Sequence, residues 1–326
     1  MFNYIICRRK KNPFNGDFLE KYLFVILKLK AVITGKGGFK EDLFYNIEYI
    51  QYICVGHGIG YFKQHLYGEN RILGIRKNDK ILIPPSNKII AIAKKFGWKD
   101  KDIIKINFPR WDKYNTYDKS LFYSNNKEFI VENSIIIMLT WRFILKSQKI
   151  SNYYFCNLID LIINEKLYKE MKKHNITLYL SLHRLIDKKY IKKINKSKVK
   201  EYIHFIGQNE LSDCLSKVNM VVTDFSSIVF ELIFRKKPFV IFIPDAEDPN
   251  ITKIYKTEYF ELIESIKNQK IQFENVFFNI KDAVNKIVFY IKNNFKLDIK
   301  LEKFYESFGF KNESSINKFV DYLINI

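Results

Sequence analysis

The densest chemistry in the chain lies at Val221-Val222-Thr223-Asp224-Phe225-Ser226-Ser227, which runs on into Ile228-Val229-Phe230-Glu231. An apolar, β-branched run ends at Thr223, Asp224 turns the chain, and a helical pattern opens near Ser226. The first amides of such a helix have no intrahelical acceptor and sit at the positive end of its dipole. Two small hydroxyls among them suit a phosphate or pyrophosphate. The same residues also read as a plain N-cap, with Asp224 accepting amide hydrogen bonds from the first turn.

Gly56-His57-Gly58 directly follows another apolar run. Flanking glycines permit close approach, and a neutral imidazole there can take a proton from a hydroxyl; a purely structural histidine fits the spacing too. His65 follows, but no nearby Cys, Asp or Glu completes a metal ligand set with the pair. Two further apolar runs lead into polar groups, Thr140-Trp141-Arg142 and Leu182-His183-Arg184. Arginine offers a fixed fork for phosphate oxygens and histidine a donor, although surface or capping roles suit them as well. Asn107-Phe108-Pro109-Arg110-Trp111-Asp112 also follows a strand pattern. Arg110 there either reaches a ligand or pairs with Asp112 or another neighbour. Thr34-Gly35-Lys36-Gly37-Gly38 lacks Walker spacing and reads as a turn. The acidic run Pro244-Asp245-Ala246-Glu247-Asp248 is compatible with Mg²⁺, but no metal is expected.

These residues need elements that bring strand ends together. Short apolar runs at residues 4–7, 31–34, 52–55, 81–83 and 103–106 read as strands of a first half, with a helix from the cap Ser86 to about Phe96, stopped at Gly97. Runs at 134–140, 176–182, 202–206, 220–223 and 239–243 read as strands of a second half, with helices at 152–173, 185–193, 210–218 and 226–234 between them. Amphipathic helices follow at 281–293 and 304–326. The polar, turn-rich stretch 113–126 marks the edge of the first half, giving domains 1–128 and 129–326. Alternating strands and helices predict two doubly wound α/β domains, with ligands at the carboxyl ends of the strands and in a cleft between the halves.

Composition excludes several classes. Of 326 residues, 47% are hydrophobic and 28% charged, enough to bury cores. No apolar run reaches the length of a membrane span, and the N-terminal charge follows the apolar stretch, the reverse of a signal peptide. The four cysteines show no CxxC, as expected in a reducing compartment. Net charge is +20, and residues 188–200 hold seven lysines and no acid. That cluster suits a solvated face, an anionic membrane surface or nucleic acid; with no nucleic-acid module in the sequence, nucleic acid is not expected as a partner.

Taken in order, five of these blocks resemble the CDP-glycerol glycerophosphotransferase family, the teichoic-acid primases and polymerases and their capsule-polymer relatives. His57 stands at the WHG-type motif, Pro109-Arg110-Trp111-Asp112 at PRND and Thr140-Trp141-Arg142 at PTWR. Leu182-His183 matches the HP block, and Val222 to Ser227 with Phe230 and Lys237-Pro238 the TDYSS-to-kP block. The likeness covers about residues 50–245; Gly56, Trp111, Leu139 and Arg184 replace the family's Trp, Asn, Pro and Pro. The resemblance implies a GT-B-like pair of Rossmann-type domains, the first on the acceptor side and the second binding the nucleotide diphosphate. An acceptor hydroxyl, on a lipid-linked primer or a polysaccharide, would attack the β-phosphate of a CDP-alditol such as CDP-glycerol and release CMP. His57 would be the general base. Arg142, His183, Ser226 and Ser227 would hold the diphosphate, supported by Thr223, Asp224, Arg110 and Asp112, with a helix N-terminus in place of a metal and no cofactor required. The basic excess would then serve peripheral attachment, from the cytoplasm, to an anionic inner leaflet. Two other classes remain open: a GT-B glycosyltransferase with a nucleotide-sugar donor, and a non-catalytic basic binder of membrane or nucleic acid.

Overall fold

The computed structural model describes residues 4–6, 31–34, 51–55, 79–95, 97–112, 133–139, 148–181, 188–224, 226–248, 263–269, 273–311 and 313–325. The chain divides into two units, Met1–Tyr117 with Phe308–Ile326, and Asp118–Ser307. The division at 117/118 falls inside the polar stretch 113–126.

The first unit is built on five parallel strands in sequential order: β1 (Tyr4–Ile6), β2 (Ala31–Thr34), β3 (Gln51–Cys54), β4 (Lys80–Ile83) and β5 (Ile103–Lys105). Between β4 and β5 runs α1 (Asn87–Lys95). Its end has a sequence cause. Gly97 takes φ +90°, its amide bonds Lys94 O at 2.9 Å, and the Trp98 amide bonds Ala93 O at 3.2 Å. This is the paired closure that a left-handed glycine allows. Ile53, Leu82, Ile89, Trp98, Phe108 and Trp111 form the unit's buried core.

The second unit carries six parallel strands: β6 (Ser134–Ile137), β7 (Thr177–Leu180), β8 (Ile203–Phe205), β9 (Met220–Thr223), β10 (Phe239–Phe242) and β11 (Val276–Phe277). Their order is β11-β10-β9-β6-β7-β8. From β6 the chain winds outward through β7 and β8, then returns to the other side of β6 through β9. That reversal makes the junction of β6 and β9 the topological switch point of a doubly wound sheet. Strands β6, β9 and β10 are buried at every position, as a sheet covered on both faces requires.

Two expected helices are each broken in two. The span 152–173 divides into α2 (Gln148–Ile162) and α3 (Glu165–His174), because Asn164 caps the second piece, its side chain accepting from the amides of Lys166 at 3.0 Å and Leu167 at 3.3 Å. The helix that continues to β8 is α4 (Lys188–Asn195), and α5 (Gln208–Lys217) precedes β9. After β9, α6 (Ile228–Phe234) begins two residues later than the sequence pattern suggests. Beyond α7 (Ile280–Lys292), the span 304–326 separates into α8 (Ile299–Glu306) and α9 (Ser315–Ile324), with Gly309 at φ +61° between them. The sequence pattern places residues 129–326 in one domain. The segment from Phe308 onward instead packs with the first unit, for a reason that lies in Asp112.

Candidate functional site

β6, β7 and β9 lie side by side and parallel, so their carboxyl ends share one edge of the second sheet. The expected polar groups follow those ends in sequence. At β9 the turn is described directly. Thr223 and Asp224 are fully buried (0% exposed), while Ser226 and Ser227 are half-buried at the entry to α6. The Ser226 hydroxyl accepts from the Ile228 amide at 3.4 Å, and its carbonyl accepts from Val229 at 3.4 Å. Ser226 thus supplies two acceptors to the first turn, with Ser227 at the N-cap position. With its side chain fully buried, Asp224 belongs to the strand-to-helix turn. Thr223 Oγ1, equally buried, has no hydrogen-bond partner among the described residues.

α6 is held rigidly. Val229, Phe230, Leu232 and Ile233 are buried, and the residues that follow it clamp a neighbour. The Arg235 guanidinium donates to the carbonyls of Leu215 and Ser216, and Lys237 Nζ donates to Val218 O and, at 3.3 Å, to Lys217 O. Two cations thus satisfy the carbonyl end of α5, where the helix dipole is negative. Burial, and then the nearby Arg235, push the Lys237 amine down to about 7. The Tyr305 hydroxyl donates to the Lys237 carbonyl. In sequence, Lys237 stands in a family block without a task of its own. The signal available for one was a basic pair just after a helix, which only the packing of α5 against it explains.

In the first unit, Pro109–Trp111 forms a 3-10 turn just beyond β5. The Arg110 guanidinium lies over the Phe108 ring, 4.4 Å from its centroid. Trp111 is wholly buried, edge-on to Phe108 (5.2 Å, 89°) and to Phe310 (5.2 Å, 70°). The indole that replaces the family's Asn is thus a core residue. Asp112 receives the amides of Ser315 at 2.8 Å and Ile316 at 2.7 Å, with the Ser314 hydroxyl at 3.3 Å. It caps α9 from 203 residues away in the chain. Burial alone would raise its carboxyl, but the hydrogen bonds from Ile316, Ser315 and Ser314 outweigh it and hold the pKa below the usual carboxylate value.

His57, Arg142 and His183 lie outside the described residues, as do Gly56, Gly58, His65, Thr140, Trp141, Leu182 and Arg184 and the glycine-rich run 35–38. In sequence the glycine-rich run follows β2, and the others follow β3, β6 and β7. In the acidic turn after β10, Asp245 and Asp248 are buried; Pro244 O accepts from Asn157 at 2.9 Å and Ala246 O from Lys267 at 3.3 Å. Among the described residues no three His, Cys, Asp or Glu side chains gather as a metal site would require. Cys54 and Cys214 are buried and Cys156 is exposed. No helix among the described residues is long and apolar enough to cross a membrane.

Comparison with known proteins gives this arrangement a family. The family model described as CDP-glycerol:poly(glycerophosphate) glycerophosphotransferase matches residues 10–313. The minor teichoic acid biosynthesis protein GgaB of Bacillus subtilis is 23% identical over 92% of this chain and 34% of its own length. The teichoic acid glycerol-phosphate primase of Bacillus subtilis is 22% identical over 73% of this chain and 61% of its own. This chain therefore spans about a third to three-fifths of the length of those relatives. Among solved structures, a structure of the wall teichoic acid polymerase TagF superposes with a TM-score of 0.60 at 16% identity, covering 94% of this chain and 75% of that one. An MnaA structure with UDP from S. aureus superposes at 0.54 and 15% identity, covering 97% of this chain and 84% of that one. These likenesses establish a GT-B-like α/β fold. With the model matched along nearly its whole length, the chain belongs to the CDP-glycerol:poly(glycerophosphate) glycerophosphotransferase family.

Proposed function

We propose that this chain transfers an alditol phosphate from a CDP-alditol, CDP-glycerol or a similar donor, to a hydroxyl of a lipid-linked or polysaccharide acceptor in teichoic-acid-type or capsule-type polymer synthesis. The observation that carries this reading is the family match over residues 10–313, on a fold that aligns the ends of β6, β7 and β9 at one sheet edge. The acceptor oxygen forms a bond to the β-phosphorus, and the bond from that phosphorus to the bridging oxygen breaks. CMP leaves with the bridging oxygen. His57 takes the hydroxyl proton. Arg142, His183 and the Ser226–Ser227 turn hold the diphosphate, and the amides opening α6 neutralise charge without a required metal or cofactor. Thr223 and Asp224 fix that turn from beneath, and Arg110 and Asp112 shape the first unit. An acceptor tethered to lipid would keep the chain peripherally at the inner, anionic face of the membrane, consistent with its +20 charge. The test is incubation with a panel of CDP-alditols and nucleotide-sugars plus a short polymer acceptor. CMP release with a CDP-alditol supports the reading. Turnover of nucleotide-sugars alone refutes it.

A further inference from the structure

The second unit ends in an edge strand with an unusual surface. Among the described residues β8 pairs only with β7, at the limit of the sheet. Leading to it, α4 and the 3-10 helix Lys198–Tyr202 turn Tyr190, Ile194 and Val199 inward, while Lys192, Lys193, Lys196, Lys198 and Lys200 along this segment are exposed. Of these, Lys193 is paired with Asp160 at 2.7 Å. The other four appear in no ion pair among the described residues, and the only acid between them and β8 is the exposed Glu201. On β8, which follows them in sequence, Phe205 is 44% exposed, and His204 is exposed with its ring 5.7 Å from that of Tyr179.

We propose that this edge, Lys192, Lys196, Lys198, Lys200 and Phe205, is the surface that docks on an anionic lipid bilayer. The inference rests on the reading that the acceptor is membrane-bound, and it names the face involved. Charge complementarity favours lipid as the occupant. Residues 188–205 contain no arginine, and so none of the planar forks that grip individual phosphates; the patch is a set of hydrated point charges on flexible stems. Such charges suit a diffuse anionic surface, which they approach without fixed geometry. An exposed phenylalanine five residues after Lys200 adds apolar area that enters the headgroup boundary once the lysines have brought the surface close. Lysines also guard free sheet edges against pairing with another chain, which is the competing account of their presence here.

Sedimentation of the whole chain with vesicles of phosphatidylglycerol and phosphatidylcholine, against phosphatidylcholine alone, tests the proposal. Each lysine near an anionic surface contributes roughly a fivefold factor in partitioning, so the combined Lys192→Gln, Lys196→Gln, Lys198→Gln and Lys200→Gln variant should bind about two to three orders of magnitude more weakly. Its residual binding should be less sensitive to salt. Phe205→Ser should weaken binding several-fold and leave the salt dependence unchanged. Release of CMP with a soluble acceptor should be unaltered in both variants. A quadruple variant that sediments with anionic vesicles as well as the wild type does overturns the proposal. So does one that merely self-associates, or one that loses only the retardation of a labelled duplex or RNA. A wild type that binds vesicles through this patch yet turns over no CDP-alditol leaves the surface standing and removes the phosphotransferase reading instead.

Discussion

Asp112 belongs to a block whose family resemblance invites a role near substrate, yet its carboxylate is spent on α9. Replacing it should therefore loosen one helix and leave donor recognition alone. Asp112→Ala deprives the amides of Ser315 and Ile316 of their acceptor at a residue only 7% exposed. Losing an N-cap costs about 0.5–2 kcal/mol, and a buried amide left without a partner about 1–3 kcal/mol, so the substitution should destabilise α9 by roughly 2–4 kcal/mol. Asp112→Asn keeps an acceptor oxygen and loses the charge, and should cost about 1 kcal/mol. Native-state hydrogen exchange reads the effect locally. Amides of α9 should exchange about thirty to several hundred times faster in Asp112→Ala, with those of β6 and β9 unchanged. The pH dependence follows from the depressed carboxyl pKa. A carboxylate held below its unfolded value of about 3.9 contributes stability that is present above that pH and fades as pH falls through the folded value. Protection of α9 should thus weaken selectively below about pH 4 in the wild type and show no such step in Asp112→Ala. If α9 exchange is unaltered in Asp112→Ala, or the variant folds normally but loses donor affinity, the capping account is wrong and Asp112 acts on substrate.

Other substitutions separate positioning from chemistry. The pair Ser226→Glu and Ser227→Glu puts carboxylates where phosphate oxygens are proposed to sit; calorimetric titration should show CDP-glycerol affinity falling by at least about a hundredfold with the melting temperature nearly kept. Trp111→Ala empties a core site between Phe108 and Phe310 and should cost about 3–5 kcal/mol in urea unfolding of the first unit. His57→Ala should lower turnover by at least about a hundredfold while donor affinity stays within a few-fold, since a base faces the acceptor; a variant that is nearly as active as wild type, or that only melts early, would make His57 structural.

Much of the second unit could be read from the chain because parallel strands buried on both faces must be continuous apolar runs. Ile135-Ile136-Ile137 and Met220-Val221-Val222 announce themselves in that way. The Thr223–Ser227 turn was legible for a related reason: a strand that stops at polar residues and restarts as a helix leaves amides to satisfy. What escaped was tertiary. Apolar periodicity continues across Asn164 and across Gly309, so the breaks there depend on caps that a pattern does not weigh. The two-residue strand β11 is too short to carry a signal. The grip of Asp112 on α9 has no trace in local sequence, and that of Arg235 and Lys237 on α5 shows locally only as basic residues after a helix, because each partner lies elsewhere in the chain. Trp111 looked like a lapse from a functional motif and is instead a packed side chain, a distinction that only its neighbours make.

The central claim is that the bond broken lies between the β-phosphorus and the bridging oxygen of a CDP-alditol. It is tested most directly with a donor carrying ³²P at the β-phosphate and ¹⁴C in the alditol, incubated with the chain and a short polymer acceptor. The account predicts that both labels enter the product in equal amounts, in a phosphodiester, with one unlabelled CMP released per unit added. Carbon label in the product without phosphorus, accompanied by labelled CDP, would mean transfer at carbon and would contradict it.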